Sequence, residues 1–287
     1  MLRRSAGVTP VTEPRAVSRL SVNAIIKLSS PATKEFWEIP VLFEDEHLLA
    51  LSKPPGLLTS PDRYDPLRPN LMKLLHAAIA ECKPWAAQRG LGYLMNAHRL
   101  DRETSGVILL AKSKPVLVSL ANLFSMEKPV KTYLALVHGG PMEDAFVVDA
   151  SLAPHPTQLG QMRVDQKSGK RSKTLLSVRE RFRSYTLLEC RPLTGRTHQI
   201  RVHLKHARQP IVGDRIYGGK PLLLSWLKSD FRLKPGKTER PLISMTALHA
   251  ESLSLLHPVS GAEVKATAPW PKDLEVALKY LRRYAPA

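Results

Sequence analysis

Residues 97–114 read AHRLDRETSGVILLAKSK. His98, Arg99, Asp101, Arg102, Glu103, Thr104 and Ser105 crowd the mouth of an apolar run, Val107 to Ala111, that suits a short buried strand. A solvated loop leading into a strand is one reading. The other is a reacting carboxylate, Asp101, held by arginines at the rim of a cleft. A second concentration is TGRTHQIRVHLKH, residues 194–206. Arg196 and Arg201 are expected in the first turns of a helix, whose backbone N–H groups favour anions. An arginine there can clamp a phosphate or pin a carboxylate in a bidentate pair. Of His198, His203 and His206, only the last two share a helix face, and no carboxylate lies near them in sequence, so no metal site is expected. Tyr133, in KTYLALV, reads on its own as core packing.

The elements that must position these residues come in adjacent pairs of strands with helices inserted irregularly. Val41–Phe43 and Leu48–Leu51 flank an acidic turn at Glu44–Glu46. Helices are predicted from Asn70 to about Cys82, from Pro115 to before Pro129, over Ile200, Leu204 and Ala207 up to Pro210, and around Leu274, Ala277, Leu278 and Leu281. Strand pairs are predicted at 175–182 with 185–191 and on either side of Val259-Ser260-Gly261, and a further strand over 130–139. The pattern is α+β, a large mixed, mostly antiparallel sheet with flanking helices and a basic cleft, rather than a doubly wound fold. Residues 1–38 read as a basic, flexible tail and 39–287 as one catalytic domain.

The chain has 287 residues, with 43 Lys and Arg against 25 Asp and Glu, a formal net charge of +18. That imbalance opposes compaction and points to a polyanionic partner, nucleic acid first and an anionic membrane surface second. No apolar run approaches the roughly 20 residues of a membrane span. Two distant cysteines, Cys82 and Cys190, give neither a disulfide framework nor a zinc knuckle and fit a reducing, cytoplasmic setting. Arg3, Arg4, Arg15 and Arg19 with the single acid Glu13 leave an organelle transit peptide as a lesser alternative for the N-terminus. From Arg163 to Arg208, thirteen Lys or Arg face three acids. A solvated face is the plain reading; a phosphate track that includes Arg163, Lys170, Arg171 and Lys173 is the functional one. P-loop, nucleophile-elbow and dinucleotide fingerprints are absent.

HRLDRETSG with VILLAKS, KTYLALV, TGRTHQIRVHL with GDRIYG, and LHAESLSLLHP occur in that order, preceded by FEDEHLLALSKPPGLLTSP. Together they resemble the RluA-type family of RNA pseudouridine synthases over roughly residues 40–270. No S4-type RNA-binding domain is recognisable ahead of the catalytic region, and residues 62–96 match no motif. The resemblance implies a pseudouridine-synthase fold, no cofactor or metal, and isomerisation of a uridine in structured RNA, ribosomal or transfer. Separately from the resemblance, a monomer is expected. It places the family's aspartate on Asp101, acting at ribose C1′ or through elimination to a glycal. Tyr133 falls on the tyrosine set against the target base, and Arg196 on the arginine that pairs with the carboxylate. Arg99 falls on a residue that can fill the space a flipped base vacates; His98, Arg102 and Arg201 are grouped with it as RNA or base-flipping contacts. Two competing classes are a catalytically silent RNA-binding protein of the same fold and a metal-dependent nuclease. The first predicts damage at Asp101, Tyr133 or Arg196, and the second needs clustered ligands.

Overall fold

The computed structural model describes residues 25–62 and 65–287. The chain opens with a meander, β1 (Ile25–Ser30), β2 (Glu35–Glu44) and β3 (Leu48–Lys53). The tail expected over 1–38 needs correction here: residues 1–24 lie outside the described residues, but β1 and the start of β2 fall within 25–38. The reason is a strict alternation in IIKLSS that buries Ile26, Leu28 and Ser30, hidden from composition by the polar residues around it. The β2–β3 turn is fixed by the Asp45 carboxylate, which accepts from the His47 and Leu48 amides at 2.8 and 2.7 Å. Residues 62–96, which match no motif, supply α1 (Leu71–Ala80), α2 (Pro84–Ala87) and β4 (Met95–Asn96). Asn70 caps α1 by accepting from the Lys73 amide, and Leu71, Met72, Leu75 and Ala78 face the meander.

Next come β5 (Ser105–Ala111), α3 (Lys114–Ser125), β6 (Val130–His138), β7 (Ala145–Asp149), β8 (Leu152–Pro154) and β9 (Met162–Val164). The predicted hairpin follows as β10 (Lys173–Phe182) and β11 (Tyr185–Pro192), then α4 (Gln199–His206) and α5 (Leu224–Leu227). The chain closes with β12 (Leu248–Leu256), β13 (Glu263–Thr267) and α6 (Lys272–Tyr284). Among the described residues one sheet of eleven strands runs β1-β2-β3-β5-β12-β6-β11-β10-β7, with β13 on β12 and β4 on β5. It is mixed: β5 and β12 pair in parallel, and the other ladders are antiparallel. The α+β reading therefore holds.

Every residue of β5 is buried, because β3 and β12 flank it and apolar side chains cover both faces. Gly106 makes the parallel pairing possible. Its φ is +112°, and a Cβ there would collide with the Ala250 carbonyl of β12. On the other half of the sheet, α6 buries Leu274, Ala277, Leu278 and Leu281, as its spacing predicts. Each buried leucine contributes about 1.5–3 kcal/mol. The mouth of β5, the first half of β6 and the far end of β11 meet at one place, and the loops before β5 and after β11 close over it.

Candidate active site

The loop carrying Asp101 is held by side chains that imitate a sheet. Thr59 Oγ1 accepts from the Leu100 amide at 3.1 Å and donates to the Leu100 carbonyl at 3.0 Å. The Gly56 amide donates to the Arg102 carbonyl at 2.8 Å, and Arg102 Nε donates back to the Gly56 carbonyl at 3.1 Å. Beneath them lies Lys53, fully buried, its ammonium donating to the carbonyls of Leu57, Pro54 and Arg102. Burial pushes this lysine down to about 7, with Asp101 and Glu103 pulling the other way. His98 finishes the scaffold. Its Nε2 accepts from the Leu109 amide at 3.0 Å and its ring stacks on Phe124, so it is neutral, and burial first and Lys131 second push it down to about 4. His98 therefore supports the loop.

The facing wall is α4. Its first six residues are buried although three of them, Gln199, Arg201 and His203, are polar, so each needs partners. Gln199 accepts from Thr194 and from the Arg196 amide, and donates to the Lys173 carbonyl and to Thr174. Thr174 in turn meets His203 Nδ1, whose other nitrogen faces the Ala150 carbonyl at 3.0 Å. These bonds commit His203 to structure. Arg201 is 1% exposed and Asp214 wholly buried. Arg201 Nε and Nη2 donate to the two Asp214 oxygens at 2.7 and 2.9 Å, a bidentate pair. The remaining nitrogen, Nη1, reaches Asp101 Oδ2 at 3.3 Å and Glu103 at 3.6 Å. Burial penalises the Arg201 cation, but Asp214, with Asp101 and Glu103, more than offsets it and raises its pKa above the ordinary value.

Between the two walls is a cleft of about 330 Å³. Asp101, Arg99, Lys131, Tyr133, Arg196 and Arg201 all line it. Tyr133 sits between Cys190 of β11 and Ala250 of β12, and burial, then the Asp101 charge, raises its pKa. Its hydroxyl is thus held protonated. Lys131 donates to the Thr194 carbonyl at the mouth.

Three expectations need correction. Arg196 is exposed at the rim with its Nε on the Arg171 carbonyl at 3.1 Å; the arginine beside Asp101 is Arg201. Both arginines belong to one motif, and the helix begins only at Gln199, so Arg196 lies before it in a loop. Arg201, grouped with the RNA contacts, is instead sealed behind the carboxylate by its ion pairs. Arg102 is turned onto Gly56 and does not line the cleft. Lys53, Asp214 and Tyr217 also pack around the site, against the Arg102 carbonyl, Arg201 and His198 respectively; motif reading reaches SKPPG and GDRIYG but assigns these three side chains no role. On the proposed phosphate track, Arg163 and Lys173 pair with Asp165 and Asp149, whereas Lys170 and Arg171 have no ion pair among the described residues.

Residues 47–206 match the family model for RNA pseudouridylate synthase. Ribosomal large subunit pseudouridine synthase D of Xanthomonas campestris is 35% identical over 273 residues, 93% of this chain and 77% of that protein. The same-named protein of Xylella fastidiosa is 39% identical over 250 residues, 85% of this chain and 70% of that protein. Among solved structures, human RNA Pseudouridylate Synthase Domain Containing 4 superposes with a TM-score of 0.59 at 26% identity, covering 84% of this chain and 92% of that one. Sheet, cleft and matches together define an RNA-modifying isomerase. The chain belongs to the RNA pseudouridylate synthase family, whose reaction converts uridine within RNA to pseudouridine.

Proposed function

We propose that Asp101 is the nucleophile of this isomerisation, that Arg201 is its paired arginine, and that Tyr133 lies against the target base. The observation that carries the reading is the Asp101 carboxylate in the cleft. Its Oδ2 faces Arg201, and among the described residues no hydrogen bond or ion pair reaches Oδ1. One oxygen is anchored and the other is available to the ribose. Addition at C1′ and elimination to a glycal both begin from this ionised carboxylate. Tyr133, as a protonated hydroxyl on the cleft floor, suits contact with the base and proton transfer.

A stacked base cannot reach the cleft, so the uridine is flipped into it. Arg99, on the rim, has the planar guanidinium to stack in the vacated space. Lys131, Arg196, Lys170 and Arg171 favour the phosphates around it. The names of the relatives support large-subunit ribosomal RNA as the substrate, and pseudouridine mapping with and without the protein identifies the position.

Asp101→Asn tests the assignment. It keeps nearly the same size and loses the charge, so release of tritium from C5-labelled uridine falls below detection. RNA affinity stays within about tenfold, since many phosphate contacts supply the binding. A folded, RNA-binding Asn variant that still releases tritium at an appreciable rate removes Asp101 from the chemistry.

A further inference from the structure

The GDRIYG turn enters the site from outside the loop that carries Asp101 and the helix that carries Arg201, and Tyr217 has no part in the chemistry proposed above. Its hydroxyl lies 3.0 Å from the Met162 amide nitrogen and 2.7 Å from His198 Nδ1. A backbone N–H can only donate, so the hydroxyl oxygen accepts from Met162. Among the described residues, the acceptor within reach of the hydroxyl's own hydrogen is His198 Nδ1. Tyr217 therefore donates to it, and a neutral His198 carries its hydrogen on Nε2. That nitrogen faces Asp101 Oδ2 at 3.8 Å, on the same oxygen that Arg201 Nη1 reaches at 3.3 Å.

We propose that His198 is a positioning residue of the isomerisation, set by Tyr217 in the Nε2–H tautomer so that it and Arg201 together hold Asp101 Oδ2 and leave Oδ1 to the substrate. The inference rests on the reading of Asp101 as the reacting carboxylate. At 3.8 Å the contact is longer than a hydrogen bond, and such contacts tighten when substrate closes a site. The groups facing His198 are the carboxylates of Asp101, Glu103 and Asp214, the Arg201 guanidinium and the Tyr217 hydroxyl. Burial holds the imidazole below its ordinary pKa, against the pull of Asp101. Burial likewise pushes Tyr217 up to about 12, which keeps the hydroxyl a donor. An imidazolium would put a second hydrogen on Nδ1 and break the Tyr217 bond.

Nitrogen NMR of histidine-labelled protein reads the tautomer directly, with His198 assigned by the signals that vanish in His198→Gln. At about pH 7.5 the wild type shows Nε2–H, and Tyr217→Phe mixes the two tautomers. An Nδ1–H tautomer in the wild type overturns the proposal. Turnover supplies the second arm. His198→Gln keeps an amide donor near the Nε2 position and stays within about tenfold of wild-type kcat, while His198→Leu loses about 100-fold with KM moving less than about threefold. Equal activity of the Leu and Gln variants also overturns it. The tautomer is read without RNA, whereas an Asp101→Asn variant that still releases tritium refutes the role of Asp101, so the two failures are told apart.

Discussion

Arg196 and Arg201 stand in one motif, TGRTHQIR, and meet opposite surroundings. Arg201 is sealed behind the cleft and surrounded by Asp214, Asp101 and Glu103. Arg196 is exposed at the mouth, against a backbone carbonyl. The difference divides the whole site. Behind Asp101 the buried basic side chains Lys53 and Arg201 have carbonyl and carboxylate partners, because a buried charge left unpaired costs several kcal/mol. Outside the wall, Arg196 at the rim and the exposed Lys170 and Arg171 are free of acids among the described residues, so water solvates them; if RNA runs there, its phosphates would replace that water. A +18 chain thus keeps its excess outside and its balance inside.

The largest expected effect comes from exchanging the two arginines' fates. Arg201→Met strands Asp214 in the core, so stability falls by roughly 3–5 kcal/mol and tritium release is lost. Arg196→Met leaves unfolding within about 0.5 kcal/mol of wild type, as surface changes do. Its turnover falls by less than about tenfold. Denaturant unfolding and tritium release, run on both variants, check this. A double variant, Arg201→Met with Asp214→Leu, separates the two roles of the pair: stability returns toward wild type while turnover does not. Equal losses in the two single variants would erase the distinction between wall and rim.

A smaller effect follows from His98 in the wall. Its folded pKa of about 4 lies below the unfolded value near 6.5, so the unfolded chain binds more protons between those pH values. Stability from this residue is complete above about pH 6.5 and is lost as pH falls through about 4, at most on the order of 3 kcal/mol. His98→Gln, followed by unfolding across that window, should flatten the slope. An unchanged slope would remove His98 from the scaffold.

Where an element's signal is local, the sequence carries it. The β10–β11 hairpin and the buried stripe of α6 follow from periodicity within a dozen or so residues, and Asp101 from a charged run at a strand mouth. The wall behind Asp101 is not legible in the same way. Arg201 meets Asp101 across 100 positions, and choosing it over Arg196 requires knowing that α4 starts at Gln199, after a left-handed His198 with φ +54°. Asp214 and Tyr217 sit in a recognisable motif, yet their purpose emerges only when that turn is packed against α4. Lys53 reads as a strand end before two prolines, and only burial shows it tying two loops together. Periodicity reports which face is buried; it says nothing of which distant charge waits there.

The smallest effect concerns the rim alone. Lys170 and Arg171 are free of acids among the described residues, while Arg163 and Lys173 pair with Asp165 at 2.8 Å and Asp149 at 3.2 Å. A cation already neutralised by a carboxylate gains less from a phosphate, because it must first give up its partner. If RNA runs along this track, Lys170→Gln with Arg171→Gln lowers the slope of log affinity against log salt by about one for each phosphate left without its cation. Arg163→Gln with Lys173→Gln lowers it by less than about half as much. Binding to the mapped RNA is measured from low to moderate salt for both pairs. Arg171 lends its carbonyl to Arg196, so the track would reach the cleft at that point and Arg196→Met should share the loss of slope. If the paired cations prove to matter as much as the free ones, the RNA breaks those surface pairs on binding, and the rim cannot be read from the free protein's ion pairs.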